Sequence, residues 1–558
     1  MVQIHGIRRA SADAKYRQMT GQPVKPLILK LCLPAVISNL VTTAYNLTDT
    51  FFIGQLGTAQ SGAIGIAFSI MTVMQALGFF FGNGAGNSMS RELGKQNNER
   101  ASRLLAVGFA GAVISGLTIA AIGLLNFNTR FQDSDNVYVN ELQANGLYKF
   151  YDAFVKNELD YEQFYITEPE AKAEEFVHGV YGSTGDNLHA VRSEGPEIRR
   201  NIVLITIESM SASFMGHFGN TRQLTPVLDS LYDRSLAFDR VYATGNRTVR
   251  GLEAVTLSLP PCPGQSIIKR PNNAGMHSTG ALLRDKGYTV KYFYGGNSYF
   301  DNMETFFSGN GYEIVDQRQY EPGEITFANI WGVCDEDAYR KVIRTLNEDA
   351  GDGKPFFAHV MTVSNHRPFT YPAGKVSIPH DAKSRNGGVM YTDYALGRFF
   401  AEASKQPWFA NTIFLITADH CASSAGRTEI PLEKYHIPAL IYAPGFVEPQ
   451  HVGGIVSQID LMPTLLSLLN MSYDSHFYGR SIYDEGYVNR AFIATYQDLG
   501  YLEGDVFTIL SPVRRFEQYR VVPTEDNPHN LEPMETENPE QVSRAIGYYQ
   551  TSSAWNKR

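Results

Sequence analysis

Apolar positions fall into two regimes along the chain. Up to about residue 125 they form long runs at 31–53, 63–82 and 104–125, each close to the ~20 residues a helix needs to cross a bilayer. The second and third runs contain no charged residue. Asn39, Asn46 and Asp49 interrupt the first, and polar groups within a span face protein or water. Three spans are expected, and a cleaved signal peptide is not, because the first run starts late and two more follow it. From residue 201 onward, short β-branched runs take over: "NIVLITI", "TVKYFYG", "FFAHVMT", "NTIFLIT" and "IPALIYA". Helix-like segments such as 335–346 and 390–403 separate them. Strands apolar on both faces are covered on both sides, so the pattern predicts an α/β fold with a doubly wound, mainly parallel sheet.

Between the two regimes, Val137, Leu142, Leu147, Phe150 and Phe154 are spaced as on an amphipathic helix. Near the C-terminus, "FTILSPVRRFEQYRVV" reads as a small antiparallel addition. Four segments result: a transmembrane part at 1–125, a helical connector at 126–200, a catalytic domain at 201–485 and an α+β extension at 486–558.

Charge divides at the same point. Residues 1–125 hold ten Lys/Arg against four Asp/Glu, and the remainder 38 against 53, within a net charge of −9 for 558 residues. The acidic part disfavours nucleic acid as a partner. Lys and Arg flank the first run on its N-terminal side and fill the loop between runs two and three, at Arg91, Lys95, Arg100 and Arg103, while the loop 54–62 has none. The positive-inside rule then leaves the N-terminus in the cytoplasm and everything after residue 125 outside. Cys32, Cys262, Cys334 and Cys421 include no CxxC pair, and no disulfide framework is expected.

Two apolar runs end in hard metal ligands: "NIVLITI" leads into Glu208, and "NTIFLITA" into Asp419 and His420. A carboxylate after a strand is more often a helix cap, but the three together make a set suited to Mn²⁺, Mg²⁺ or Zn²⁺. In "ATGNRTVRGLEAVTLSLPP", Gly245 and Asn246 suit a tight turn that would put Thr248 where a helix begins. Thr248 is then either an N-cap or a nucleophile, and the second role needs an activator such as a bound cation.

These pieces occur in the order found in a known family. The motifs "NIVLITIESMSASFMGHFGN", "GNRTVRGLEA", "SLPPCPGQSI", "ANIWGVCDEDAY", "VSNHRPF", "ITADHCA", "YHIPALIYAPG" and "SQIDLMPTLLSLL" run across residues 136–482. This region resembles the lipoteichoic acid synthase and phosphoglycerol transferase branch of the alkaline phosphatase (sulfatase-like) superfamily. The resemblance implies that Glu208, Thr248, Asp419 and His420 bind one divalent metal and that Thr248 forms a phospho-intermediate. It also puts Trp331 and His366 at the substrate head group, with His366 as proton donor or phosphate ligand; for His436, a place near the site and strand capping weigh equally. It implies a phospholipid donor resembling phosphatidylglycerol, a hydroxyl acceptor, and a bacterial cytoplasmic membrane with the catalytic domain outside. Alternatives are a phosphoethanolamine transferase, a phosphodiesterase or a sulfatase-like hydrolase. Sulfate chemistry is disfavoured because Cys262-Pro263-Gly264-Gln265-Ser266 lacks the Pro and Arg of the Cys-x-Pro-x-Arg context that formylglycine formation requires. Residues 19–125, through "PAVISNLVTTAYNLTDTFFIGQLG" and "SRELGKQNNERAS", resemble the first three helices of the MATE transporters, which leaves an antiporter fragment with a fused domain as a further alternative.

Overall fold

The computed structural model describes residues 79–124, 159–424, 426 and 428–555, with scattered positions between 21 and 76. It divides into two units. In the first, the described residues form a helix over 79–94 and a long helix, Asn98–Leu124. The latter covers residues 104–124 of the third expected span and is, among the described residues, the helix long and apolar enough to cross a membrane. Val107, Phe109 and Leu117 are exposed on it. Gly108 and Gly111 let helix 79–94 approach closely, since an added Cβ would collide with Ala85 and Phe81. Apart from scattered positions and residues 79–82, which begin the helix 79–94, the first two expected spans lie outside the described residues, as does the apolar series from Val137 to Phe154.

In the second unit, the five expected runs form strands, and three more join them. In chain order these are β1 (Asn201–Ile207), β2 (Leu236–Tyr242), β3 (Thr289–Tyr294), β4 (Glu313–Val315), β5 (Phe356–Met361), β6 (Thr412–Ala418), β7 (His436–Tyr442) and β8 (Gln450–Ser457). They build one sheet in the order β8-β2-β7-β6-β1-β5-β3-β4. Every residue of β1, β5 and β6 is buried, as expected for strands covered on both faces. Helices Asp335–Gly351 and Arg385–Ala403 occur where the sequence suggests them, each longer than expected.

The sheet is mixed, which corrects the doubly wound reading at one strand: β7 runs antiparallel to both β2 and β6. Among the described residues of the connection from β6 to β7, 419–435, the helical structure is a short 3₁₀ turn, Leu432–Lys434. Without a crossover helix to carry the chain back, the next strand returns in the opposite direction.

The C-terminal addition is a five-stranded antiparallel sheet, Arg490–Ala494, Leu499–Glu503, Val506–Ser511, Arg515–Val521 and Leu531–Pro533, followed by helix Pro539–Trp555. Phe492, Leu499, Tyr501 and Tyr549 share one apolar core with the main sheet. Arg490, at the start of that addition, forms a buried ion pair with Asp460, Nη1 to Oδ2 at 2.7 Å. Among the described residues the cysteines form no disulfide.

Candidate active site

Strands β1 and β6 are parallel neighbours in a register that pairs Ile207 with Ala418. The next residue on each is therefore a neighbour too, and these are Glu208 and Asp419. Ligand sites in open α/β sheets lie beyond the carboxyl ends of the strands, where these two emerge. Beyond Glu208 the chain turns sharply through Ser209, whose φ is +51°. Three hydrogen bonds hold that turn: Glu208 N–H donates to Thr362 Oγ1 at 2.9 Å, Ser209 N–H to Asp419 Oδ1 at 2.7 Å, and Asn365 Nδ2 to Glu208 O at 2.9 Å.

Thr248 opens the helix Thr248–Leu257, and its Oγ1 lies 3.3 Å from Glu208 Oε2. The helix packs directly against the neighbouring ligand's backbone. Gly251 makes that approach feasible, because an added Cβ there would collide with the carbonyl of Asp419.

Glu208, Asp419 and His420 each offer a ligand atom within 4.8 Å of the others. His420 Nδ1 faces the carbonyl of Cys421 at 2.7 Å, which assigns the proton to Nδ1 and leaves Nε2 its lone pair, 3.3 Å from Asp419 Oδ2. That Oδ2 is buried and accepts no hydrogen bond. Two buried carboxylates side by side disfavour double ionisation. Burial, and then the charge of Glu208, push Asp419 well above the usual carboxylate range. Burial also works against the charge of Glu208, but His420, His366 and the Ser209 hydroxyl outweigh it and hold this carboxyl low. Burial lowers the pKa of His420, favouring the neutral imidazole that ligates metals. An orphaned carboxylate oxygen, a second carboxylate, an imidazole lone pair and a hydroxyl make a donor set that fits a hard divalent cation.

Trp331 and His366 come together beside this group. Their ring centroids are 3.8 Å apart, and both rings bond to the carbonyl of Arg367, His366 through Nδ1 at 3.1 Å and Trp331 through Nε1. His436 takes no part: its Nε2 is bonded to the Asp239 carbonyl at 2.9 Å, and burial lowers its pKa to about 4.

Sequence reasoning passed over Asn365 and Arg385. Asn365 lies inside "VSNHRPF", so its place was available from the motif. Arg385 opens the helix Arg385–Ala403 with no local cue. Its Nη1 donates to Asn365 O at 2.9 Å and its Nη2 to Ala422 O at 3.4 Å, while its guanidinium lies 4.4 Å over the Phe369 ring. Burial lowers its pKa, against the attraction of Glu208.

Known proteins match the chain in two parts. The Sulfatase family model matches residues 200–471, and the MatE model residues 34–131. Among solved structures, a protein in the alkaline phosphatase superfamily from Vibrio parahaemolyticus is 33% identical with a TM-score of 0.66; the match covers 71% of this chain and 98% of that one. The lipoteichoic acid synthase LtaP from Listeria monocytogenes, 18% identical, has a TM-score of 0.55 over 69% of this chain and 97% of its own, a likeness of fold. Among curated proteins, the lipoteichoic acid synthase-like YvgJ of Bacillus subtilis is 23% identical over 299 residues, 49% of this chain and 48% of its own. Lipoteichoic acid synthase 2 of the same organism is 24% identical over 311 residues, 51% and 46%. The chain thus spans about half the length of the curated relatives it matches.

Proposed function

The chain belongs to the alkaline phosphatase superfamily, and from that premise we propose that it is a membrane-anchored phosphoglycerol transferase acting on phospholipid head groups. The observation that carries this reading is the Thr248 hydroxyl at a helix start, 3.3 Å from Glu208 and in the company of Asp419 and His420. The curated relatives, named lipoteichoic acid synthases, support phosphoryl transfer over sulfuryl transfer.

Glu208, Thr248, Asp419 and His420 would hold one divalent cation, Mn²⁺ or Mg²⁺, which when bound lowers the pKa of the hydroxyl and offsets charge on the phosphoryl oxygens. Glu208 Oε2 orients the Thr248 hydroxyl, whose oxygen attacks phosphorus while its proton leaves along that hydrogen bond. The bond from phosphorus to the diacylglycerol oxygen breaks, and that oxygen takes a proton from Nε2 of His366. His366 has Nδ1 turned to the Arg367 carbonyl, so its Nε2 is the nitrogen that serves the substrate. Trp331, against the imidazole face, fixes the ring and walls the head-group side. The amides of Thr248 and Val249, which open helix Thr248–Leu257, bind the phosphoryl oxygens. A hydroxyl acceptor then gives its proton to that Nε2 and attacks phosphorus, and the Thr248 oxygen takes back the proton from Glu208 as its bond to phosphorus breaks. With Lys and Arg of the first segment on the cytoplasmic side, the domain meets lipid head groups of the outer leaflet at high effective concentration.

Membranes carrying the chain, given phosphatidylglycerol labelled in its head group, test the proposal. Transfer of labelled glycerophosphate to an acceptor, dependent on Mn²⁺ or Mg²⁺ and lost in Thr248→Ala, is expected. Release of free glycerophosphate without transfer would favour the phosphodiesterase reading. No labelled product with any divalent metal would remove the lipid substrate.

A further inference from the structure

A second group of ligating side chains lies outside the site just described. His217 follows β1 in the segment that begins with Glu208, Asp239 sits in the middle of β2, and His451 is the second residue of β8. One ligand atom from each lies within 4.8 Å of the other two. His451 Nδ1 is 3.1 Å and His217 Nε2 3.4 Å from the same oxygen, Asp239 Oδ1. We propose that His217, Asp239 and His451 form a second metal site, selective for a borderline cation of the Zn²⁺ type, that clamps the segment carrying Glu208 to strands β2 and β8.

Geometry supports this in three ways. A tetrahedral ion with bonds of ~2.0–2.1 Å requires ligand atoms about 3.3–3.4 Å apart, and the two measured separations, 3.1 and 3.4 Å, are close to that edge. The rings are also held in place rather than loose. His217 and His451 stack with centroids 5.2 Å apart at 14°, and Tyr232 packs on both, at 4.5 and 5.5 Å.

The third point is the backbone at Asp239. Strand β2 is irregular against both of its neighbours at that residue. The register with β7 shifts between Ile437 and Ala439, so Asp239 and Arg240 face Pro438 alone. The register with β8 shifts between Val452 and Ile455, so Gly453 and Gly454 face Asp239. A bulge re-aims the side chain it carries, and an interior strand disrupted on both edges at one carboxylate is a feature that costs ladder hydrogen bonds. Tyr232 donates to Asp239 Oδ1 at 3.1 Å, and His436 Nε2 bonds to the Asp239 carbonyl at 2.9 Å. These are the supporting contacts that orient a ligating carboxylate.

The two sites differ in donor chemistry. Two carboxylates, a hydroxyl and one imidazole suit a hard cation, whereas two imidazoles with one carboxylate suit zinc. Both histidines are exposed and the carboxylate half-buried, so the fourth position opens to solvent and is taken by water.

The full chain, purified in detergent, stripped with chelator and dialysed against ZnCl₂, tests this by metal analysis. Asp419→Asn, which disables the first site, is expected to retain one equivalent of zinc and to gain thermal stability on zinc addition. Adding His217→Phe or His451→Phe, which keep a ring against Tyr232 while removing the nitrogen, is expected to abolish both the equivalent and the zinc-dependent shift. A comparable melting temperature without zinc shows that each variant folds; because the His451 side chain is the more exposed of the two, His451→Phe decides if His217→Phe is destabilised. Asp419→Asn protein that binds no zinc, or zinc binding that survives in His451→Phe, would overturn the proposal. Neither result bears on Thr248, so the transferase reading stands or falls separately.

Discussion

Thr248 shows how far a residue can be read in isolation. Alone it is a hydroxyl at a helix start, which describes an N-cap as well as a nucleophile. In the fold its Oγ1 lies 3.3 Å from Glu208 Oε2, which supports the proposed nucleophile. Thr248→Ala is expected to reduce turnover by on the order of 10³-fold or more, with little change in melting temperature, because it removes one half-buried hydroxyl and its hydrogen bond to Glu208. Radiolabel retained on denatured wild-type protein, and absent from the variant, would identify the phospho-threonine. Arg385 is the complementary case. It holds the carbonyls of Asn365 and Ala422 with two donors, a geometry that a single ammonium cannot reproduce. Arg385→Lys is expected to lower kcat/KM about tenfold, the effect of roughly 1.4 kcal/mol in positioning the adjacent His366, while metal stoichiometry is unchanged. Loss of the metal instead would make Arg385 a support of the cation site.

At the scale of elements, the helix Thr248–Leu257 and the ends of β1 and β6 act as one piece. Gly251→Ala is expected to push that helix off the Asp419 backbone, at a cost of about 1–3 kcal/mol. Weaker divalent-metal binding should accompany the loss in a titration of the variant. Mostly apolar, β-branched and aromatic runs made β1, β3, β5, β6 and β7 legible, since strands covered on both faces hold few polar positions. Strand β2, "LAFDRVY", was not legible because Asp239 and Arg240 break its run. Only the bulges on both sides explain how a charged pair sits within the sheet. Glu313–Val315 is too short for a periodic signal, and β8 carries Gly453 and Gly454 in its middle.

For the whole molecule, stability depends on groups buried without their usual solvent. Arg490 and Asp460 are both almost fully buried, and Asp460 also accepts from Tyr487 at 3.0 Å and from the Arg480 amide at 2.9 Å. Arg490→Met is expected to cost about 3–5 kcal/mol in equilibrium unfolding, because the carboxylate would remain buried without its counter-charge. Acid sensitivity follows from His359 and His277, whose pKa values burial lowers to about 3 and about 4. An unfolded histidine titrates near 6.5, so the unfolded chain binds the extra protons first. The stability of the neutral fold is present above that pH and is lost as pH falls toward the folded values. Each should cost about 2 kcal/mol at pH 5, and urea midpoints at pH 7 and pH 5 measure the sum. His359→Gln should flatten the slope.

The sequence by itself determined which segments are apolar enough to be spans or buried strands, where the charge changes sign, and which side chains could ligate a hard cation. These are properties of composition and local order, and burial acts on them wherever the segment ends up. Tertiary structure decided the rest. The register of Ile207 against Ala418 made neighbours of Glu208 and Asp419, residues far apart in the chain. The strand after β6 returned antiparallel, and two bulges flank Asp239, one oxygen of which meets His217 and His451. Strand order and register arise from contacts between distant segments, and no local pattern records which strand lies beside which.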